Sequence, residues 1–398
     1  MTFLCISCYF KGVPFLRACK AAGNTVYLLT AKKLEHEAWP REAVDEFFYL
    51  EDDSNSPANL ANIAKGVAWI MQTREVHRVV AMDDFDVEKA AYLREEFRLP
   101  GMGQTTARYF RDKLAMRIQA RDQGIAVPQF SSLFNDVAIT EFANRIEYPC
   151  LVKPRGEASA TGIAKVRSAQ ELWDKVHSLG ERRKDYLVEQ FRPGDVYHVD
   201  AISVDGEVVF CQVSRYLSTP FEVAHGGGIF RSVSVPYNDP EAVTLRRMTE
   251  SVMHVFGMQF SASHTEFIKT AEGFVFLETA SRVGGANLAE MVEAATGISL
   301  WEEWAKLETA MATGKRYLLP TRRYDQSGIV VSLSRFAHPD ASSFTDPEIV
   351  WRMDRAHHIG LIVASQSTER IRELLDDYAG RIGRDFHASA PVPEKSAH

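Results

Sequence analysis

Over the first hundred residues, short apolar runs alternate with amphipathic stretches. FLCIS (3–7), TVYLLT (25–30), EFFYL (46–50) and HRVVAMDD (77–84) read as strands, with VPFLRACKAAG, ANLANIAKGVAWIMQ and VEKAAYLREEF as the helices beside them. Strands that alternate with helical patterns predict parallel βαβ units, the sheet covered on both faces. After an LPGMG turn (99–103), Ala107, Phe110, Leu114 and Ile118 recur at helical spacing and Gly124 supplies a stop, so one helix is predicted through TARYFRDKLAMRIQARDQG. From about 128 to 300 the pattern changes to strand pairs: CLVKP with GIAKV, YLVEQF, HVDAISVDGEVVFCQVS and HTEFIKTAEGFVFLETA. Asp205-Gly206 between alternating runs is a strong hairpin signal. A last segment carries GIVVSLSRF, GLIVAS and the helix TERIRELLDDYAGRIG, and ends in a tail expected to fray. The prediction is an α/β unit (1–104), an α+β unit (105–315) and a small C-terminal α/β unit (316–398).

The 398 residues are 45% hydrophobic and 25% charged, the balance of a soluble globular protein, which excludes disorder and collagen-like repeats for the chain as a whole. No apolar run reaches the roughly 18 residues of a spanning helix, so no membrane role is expected. A net charge of −7 argues against a general nucleic-acid binder. Five scattered cysteines do not suggest a disulfide framework, and Cys5 and Cys8 lack a second pair at zinc-ligand spacing, so ordinary buried thiols are expected. The N-terminus has no positive n-region or clear cleavage site, which gives a cytoplasmic, reducing expectation. SCYFKG, after the first strand, is not a dinucleotide fingerprint. Asp83 and Asp84 fall at a strand's carboxyl end, where open α/β sheets place ligands, although capping of the next helix is the commoner use of such residues.

HTEFIKTAEGFVFLETASR carries the most chemistry. A three-residue loop, Ala271–Gly273, would set Thr270 against Phe274 and Glu266 directly against Glu278, with Phe267 and Leu277 turned into a core. Opposed carboxylates repel, and a hard divalent cation between them would remove the conflict. Two solvated glutamates on an exposed face are the plainer alternative. Arg282 shares parity with Glu278 and could reach a phosphate held by the same metal. Lys153 ends an apolar strand before the small-residue loop PRGEASATG, whose backbone N–H groups could approach phosphates. Segment 214–232 is a long glycine-containing connection between two strands that could bind or close over a substrate, with Arg215 and His225 as candidates. His264 shares the face of Glu266 and either looks into the site or is a hydrogen-bonded strand histidine.

In this order, Lys113, Lys153 with its loop, VEQF, Glu266 and LETASRVGG resemble the ATP-grasp superfamily across about 105–305, and more loosely along the whole chain. The resemblance implies an ATP-grasp fold: two α+β subdomains holding ATP between them, after a parallel α/β pre-ATP-grasp domain. It implies that Lys113 and Lys153 contact the α- and β-phosphates and that loop 156–162, with Ser159, covers the triphosphate. Glu189 and the backbone of Gln190 and Phe191 would read adenine, and Asp195 the ribose, although the usual acidic position is here Val196. Glu266 and Glu278 would hold one or two Mg2+ ions, replaceable by Mn2+, with Arg282 as the catalytic arginine. Two positions depart from the pattern: Ala280 stands where an asparagine ligand is common, and the phosphate loop has only Gly156 and Gly162 and contains Glu157, expected to point outward.

HTEFI and LETASRVGG are most similar to carboxylate–amine ligases of the L-amino acid ligase kind. Those enzymes form an acyl phosphate from ATP and a small carboxylate, which an amine then captures. The implied partners are therefore a small-molecule carboxylate and amine, with no nucleic acid or membrane, in a fold whose relatives are commonly homodimers. A biotin carboxylase-like enzyme and a non-catalytic nucleotide-binding protein are the competing readings.

Overall fold

The computed structural model describes residues 1–158, 160–218, 223 and 227–389. Its first sheet is all parallel, in the order β3-β2-β1-β4, from β1 (Thr2–Ser7), β2 (Thr25–Ala31), β3 (Glu46–Leu50) and β4 (Arg78–Ala81). The apolar run of β1 is buried from Phe3 to Ser7. The helix Pro57–Met71 starts where Ser56 accepts the Asn59 N–H, with proline at the first helical position. The helix Leu300–Thr313, from far along the chain, packs on Val13–Ala21, with Trp304 edge-on to Phe15.

A second sheet is antiparallel in the order β5-β8-β6-β7: β5 (Phe130–Ser132), β6 (Cys150–Pro154), β7 (Ala164–Val166) and β8 (Tyr186–Gln190). The helices Asp136–Arg145 and Ala169–Leu179 back it through Ile139, Phe142, Leu172 and Val176.

The third sheet has eight antiparallel strands, β9 (Asp195–Val204), β10 (Glu207–Tyr216), β11 (Phe230–Ser234), β12 (Ser261–Thr270), β13 (Gly273–Ala280), β14 (Gln326–Leu333), β15 (Ile349–Arg352) and β16 (His358–Ser365). They run in the order β13-β12-β9-β10-β11-β14-β16-β15. Asp205 (φ 52°) and Gly206 (φ 83°) make the two-residue turn of β9–β10, as the Asp-Gly signal predicts. Because β14 pairs with β11, the strands after residue 316 extend this sheet and do not form one of their own.

The single helix expected through 106–124 is two, Gln104–Arg108 and Lys113–Asp122. Asp112 leaves helical geometry (φ −95°, ψ 107°) and its carboxylate accepts the N–H groups of Leu114 and Ala115, a stronger local claim than continuing the helix. The new start also turns the face: Ile118 is exposed and Arg117 is fully buried.

All five cysteines are free and buried, as expected, and burial raises the thiols of Cys5 and Cys8 far above the usual range. Among the described residues no helix is long and apolar enough to cross a membrane.

Candidate active site

A cavity of about 580 Å³ lies where the second and third sheets meet the carboxyl end of β4. That volume falls within the range of small-molecule pockets, roughly 300–1,000 Å³. Lys113, Lys153, Glu266, Glu278, His264 and Arg282 all line it. With Glu189, Gln190 and Phe191, which also line it, nine of the residues singled out in the sequence, separated by up to 169 positions, share one cavity.

The β12–β13 hairpin does set Glu266 opposite Glu278, but not by the expected turn. Thr270 pairs with Gly273, so the loop is the two residues Ala271 and Glu272, one shorter than predicted. The ladder then carries Phe267 against Phe276, and a bulge at Leu277 restores the predicted pairing of the glutamates. Leu277 consequently lines the cavity and Phe276 takes the core position expected of it.

The two carboxylates have different neighbours. Tyr216 donates its hydroxyl to Glu266 at 2.9 Å. Lys113 Nζ lies 3.1 Å from Glu278 Oε2 and also donates to the Glu157 carbonyl at 2.5 Å. Burial works to raise the Glu278 pKa, but Lys113 and then Lys153 more than reverse it and hold the group well below the usual carboxylate range. Lys113 therefore bridges the carboxylate hairpin and the loop between β6 and β7. Glu157, expected to point outward, is among the residues lining the cavity.

Lys153 donates to Glu189 Oε1 at 2.5 Å, and Arg117 Nε donates to Glu189 Oε2 at 3.0 Å. Both Glu189 oxygens thus face cations from neighbouring elements, and Glu189, Gln190 and Phe191 all line the cavity. The N–H groups of Gln190 and Phe191 are also engaged, with the Gln129 and Pro149 carbonyls. Asp195 pairs with Arg215 at 3.2 Å, and neither lines the cavity; Gly194 and Val196 do. Ser159 and His225 lie outside the described residues.

His264 faces Ala280 across the ladder, one pair beyond Thr265 and Thr279. Its Nδ1 donates to Asp200 Oδ1 at 2.8 Å, His198 Nδ1 donates to Asp200 Oδ2 at 2.8 Å, and His264 Nε2 stands 3.6 Å from Glu266 Oε1. Among the described residues these two histidines and Asp200 are close enough to hold a metal ion, but each Nδ1 is already satisfied by the carboxylate. Gly284 makes the arrangement possible, since a Cβ there would come within 2.6 Å of Asp200 Oδ1 and 3.0 Å of His264 Nδ1. Burial works to lower the His264 pKa, and Asp200 outweighs it and raises the group to about 9. With the folded value above the ordinary 6.5, the imidazolium's contribution to stability is complete below about 6.5 and is lost as pH rises through about 9. In Asp200→Asn the His264 midpoint is expected to fall to 6.5 or below, read from its ring resonances by NMR; a midpoint unchanged near 9 would contradict this account.

Arg282 follows the end of β13 and donates to Asp84 Oδ2 through Nε at 3.0 Å and Nη2 at 2.6 Å. This ties the end of β4 to the hairpin carrying the glutamates. The adjacent Asp83 accepts the Phe85 N–H, the helix-capping use, and pairs with Lys11. Asp84, noted in the sequence for its place at a strand's carboxyl end, does line the cavity, whereas Arg111, Arg117, Asp200 and Tyr216 were not among the sequence candidates. A basic residue one place before Asp112-Lys113 is the one signal that could have drawn attention to Arg111, which lines the cavity over the Phe85 ring.

Residues 120–219 match the family described as D-ala D-ala ligase C-terminus. The chain is similar to the L-arginine-specific L-amino acid ligase of Bacillus subtilis, 27% identical over 240 residues that cover 58% of each chain. It thus spans under two thirds of that relative's length. In three dimensions it is similar to the L-amino acid ligase from Bacillus licheniformis, with TM-score 0.73 and 17% identity over 97% of this chain and 98% of that one. It is also similar to the biotin carboxylase domain of the Hydrogenobacter thermophilus 2-oxoglutarate carboxylase, a dimer in complex with MgADP, ADP and bicarbonate. There the TM-score is 0.68 at 16% identity, over 94% of this chain and 89% of that one. At such identities the structural likeness establishes the fold.

Proposed function

The chain has the ATP-grasp fold, and from that premise we propose that it is an ATP-dependent carboxylate–amine ligase joining small molecules through an acyl phosphate. The observation that carries the reading is the opposed pair Glu266–Glu278 beside Lys113 in a cavity of ligand size. Two carboxylates in one register offer the hard oxygen donors that magnesium or manganese takes, so the residues fit the ion. Glu266 and Glu278 would hold it, and when bound it would neutralise charge on the phosphate oxygens.

Within this reading Lys113 and Lys153 contact the α- and β-phosphates of ATP, and loop 156–162, with Ser159, covers them. Glu189 acts through Lys153, whose ammonium it fixes, and the adenine edge is left to backbone groups of Gln190 and Phe191 not already paired within the protein. A carboxylate oxygen of the acyl donor attacks the γ-phosphorus, the bond to the bridging oxygen breaks, and ADP leaves. The amine nitrogen then attacks the acyl carbon, the C–O bond to phosphate breaks, and the amine gives up a proton. Arg282, fixed by Asp84, supplies positive charge beside the transferring group. His264, 3.6 Å from Glu266 in the same cavity, would face the substrate. The divisions 1–104, 105–315 and 316–398 belong to the same proposal, as do a cytoplasmic place and small-molecule partners.

Phosphate release from MgATP, screened over pooled L-amino acids and small carboxylic acids, tests this. Stimulation by one pool with an amide-linked product in the mass spectrum is expected. Stimulation by bicarbonate with free biotin, and by no amino acid, would contradict the ligase reading in favour of a carboxylase.

A further inference from the structure

Most cations at the cavity already have an anionic partner. Lys113 lies against Glu278, Lys153 against Glu189, Arg282 against Asp84, and Arg192 against Glu272. Arg111 differs. It is 8% exposed, its Nε is buried with no hydrogen-bond partner, and among the described residues its guanidinium makes no ion pair. Its guanidinium carbon lies 4.2 Å from the centroid of Phe85, whose other contacts include the stacked ring of Tyr9 at 4.9 Å and 22°.

Burying an uncompensated guanidinium is costly, and a protein that retains one in a cavity wall has an anion for it when the cavity is filled. Its place over the ring holds the guanidinium at the cavity wall, and its terminal N–H groups suit a flat, two-oxygen ligand. Its location identifies the kind of anion. A Cβ on Gly156, at the start of the phosphate loop, would lie 3.8 Å from Arg111 Nη2. On the other side is Asp84, whose carboxyl feels Arg111 as well as Arg282. Asp84 accepts both of its hydrogen bonds with these arginines from Arg282, so Arg111 lies between the phosphate loop and the end of β4 without an ion pair of its own among the described residues.

We propose that Arg111 is an oxyanion-binding residue of this cavity, and that it takes either the carboxylate of the acyl donor or the phosphoryl group placed on it. The proposal rests on the ligase reading for its choice of ligand.

The test uses the full chain as wild type, Arg111→Met and Arg111→Lys. Calorimetric binding of MgADP and of Mg-β,γ-imido-ATP is measured first, followed by KM for the amino acid that gives the strongest stimulation in the screen and for its carboxamide. If the phosphoryl group is the ligand, Arg111→Met binds the imido-ATP about 10- to 100-fold more weakly with ADP unchanged. If the carboxylate is the ligand, both nucleotides bind normally, KM for the acid rises by about the same factor, and the preference for acid over carboxamide is lost. In both cases Arg111→Lys recovers part of the loss. Nucleotide binding, KM and kcat all within twofold of wild type would overturn the proposal. So would equal weakening of both nucleotides with a lowered melting temperature, the mark of a packing role. Should Arg111→Met fail to fold, Arg111→Lys decides by the same criteria, since it keeps the charge and loses the two-oxygen edge. A wild type that binds both nucleotides yet answers to no acid overturns the ligase reading, and the imido-ATP comparison then decides the role of Arg111.

Discussion

Glu278→Ala is expected to reduce amino-acid-stimulated phosphate release by about 10³-fold or more. Glu278 is the carboxylate at which three contributions meet: the opposed Glu266, the ammonium of Lys113, and the charge of Lys153. On the proposed reading, truncating it removes an oxygen ligand for the ion and frees Lys113 from one of its two partners, so both charge neutralisation and phosphate positioning should fail together. Glu278→Gln, which keeps the shape and loses the charge, should be nearly as inactive. The fold should tolerate either change, because Glu278 retains solvent contact at the cavity, with 35% of its side chain exposed. The check is steady-state phosphate release beside a thermal melt: activity within tenfold of wild type would contradict the metal-ligand assignment.

The second large effect is on stability. Glu189 lies between Arg117 and Lys153, with side chains 0% and 8% exposed, and is itself 3% exposed. Burial works to raise its pKa, and Arg117 followed by Lys153 overcomes this and keeps the carboxyl below the usual range. Removing one partner from a buried ionic pair costs about 3–5 kcal/mol, because the remaining charge is stranded. Glu189→Ala strands two. The variant is expected to lose at least that much in denaturant unfolding, with the β5–β8 unit opening first, as hydrogen exchange in β6 and β8 would show. Simultaneous replacement of all three residues by apolar ones should be far milder, since no charge is then left unpaired. An unchanged midpoint in Glu189→Ala would show that water reaches the cluster.

The elements that depend on local pattern were legible from the chain. The four parallel strands are continuous apolar runs, and Asp205-Gly206 fixes the β9–β10 turn with two positive φ angles. The glutamate pairing was also legible, although two departures cancel: the turn is one residue shorter than its glycine suggested, and Leu277 bulges by one. A bulge has no strong local signal, since any residue can be the extra one if its neighbours keep their faces. The break at Asp112 was missed for a related reason. Apolar spacing continued across it, and only the capping geometry shows that the aspartate starts a second helix.

Less was legible of the groups that tune the site. Asp84 and Arg282 are 198 positions apart, and Arg117 and Glu189 are 72 apart. Their meaning is pairwise, and no local pattern records a partner. A buried arginine in a helix reads as a solvated one until the carboxylate opposite it is seen. Glu189 shows the same effect: the segment is recognisable from its order in the chain, but the pairing of its carboxylate with Lys153 and Arg117 is not.

The central claim is that the carboxylate itself attacks the γ-phosphate. The most direct measurement is the fate of oxygen: the acid found in the screen is labelled with 18O in its carboxylate, and the phosphate released from unlabelled MgATP is weighed. The acyl-phosphate route predicts one 18O per phosphate in step with amide product. Unlabelled phosphate, formed at the same rate, would mean that water and not the carboxylate attacks, and would contradict the account.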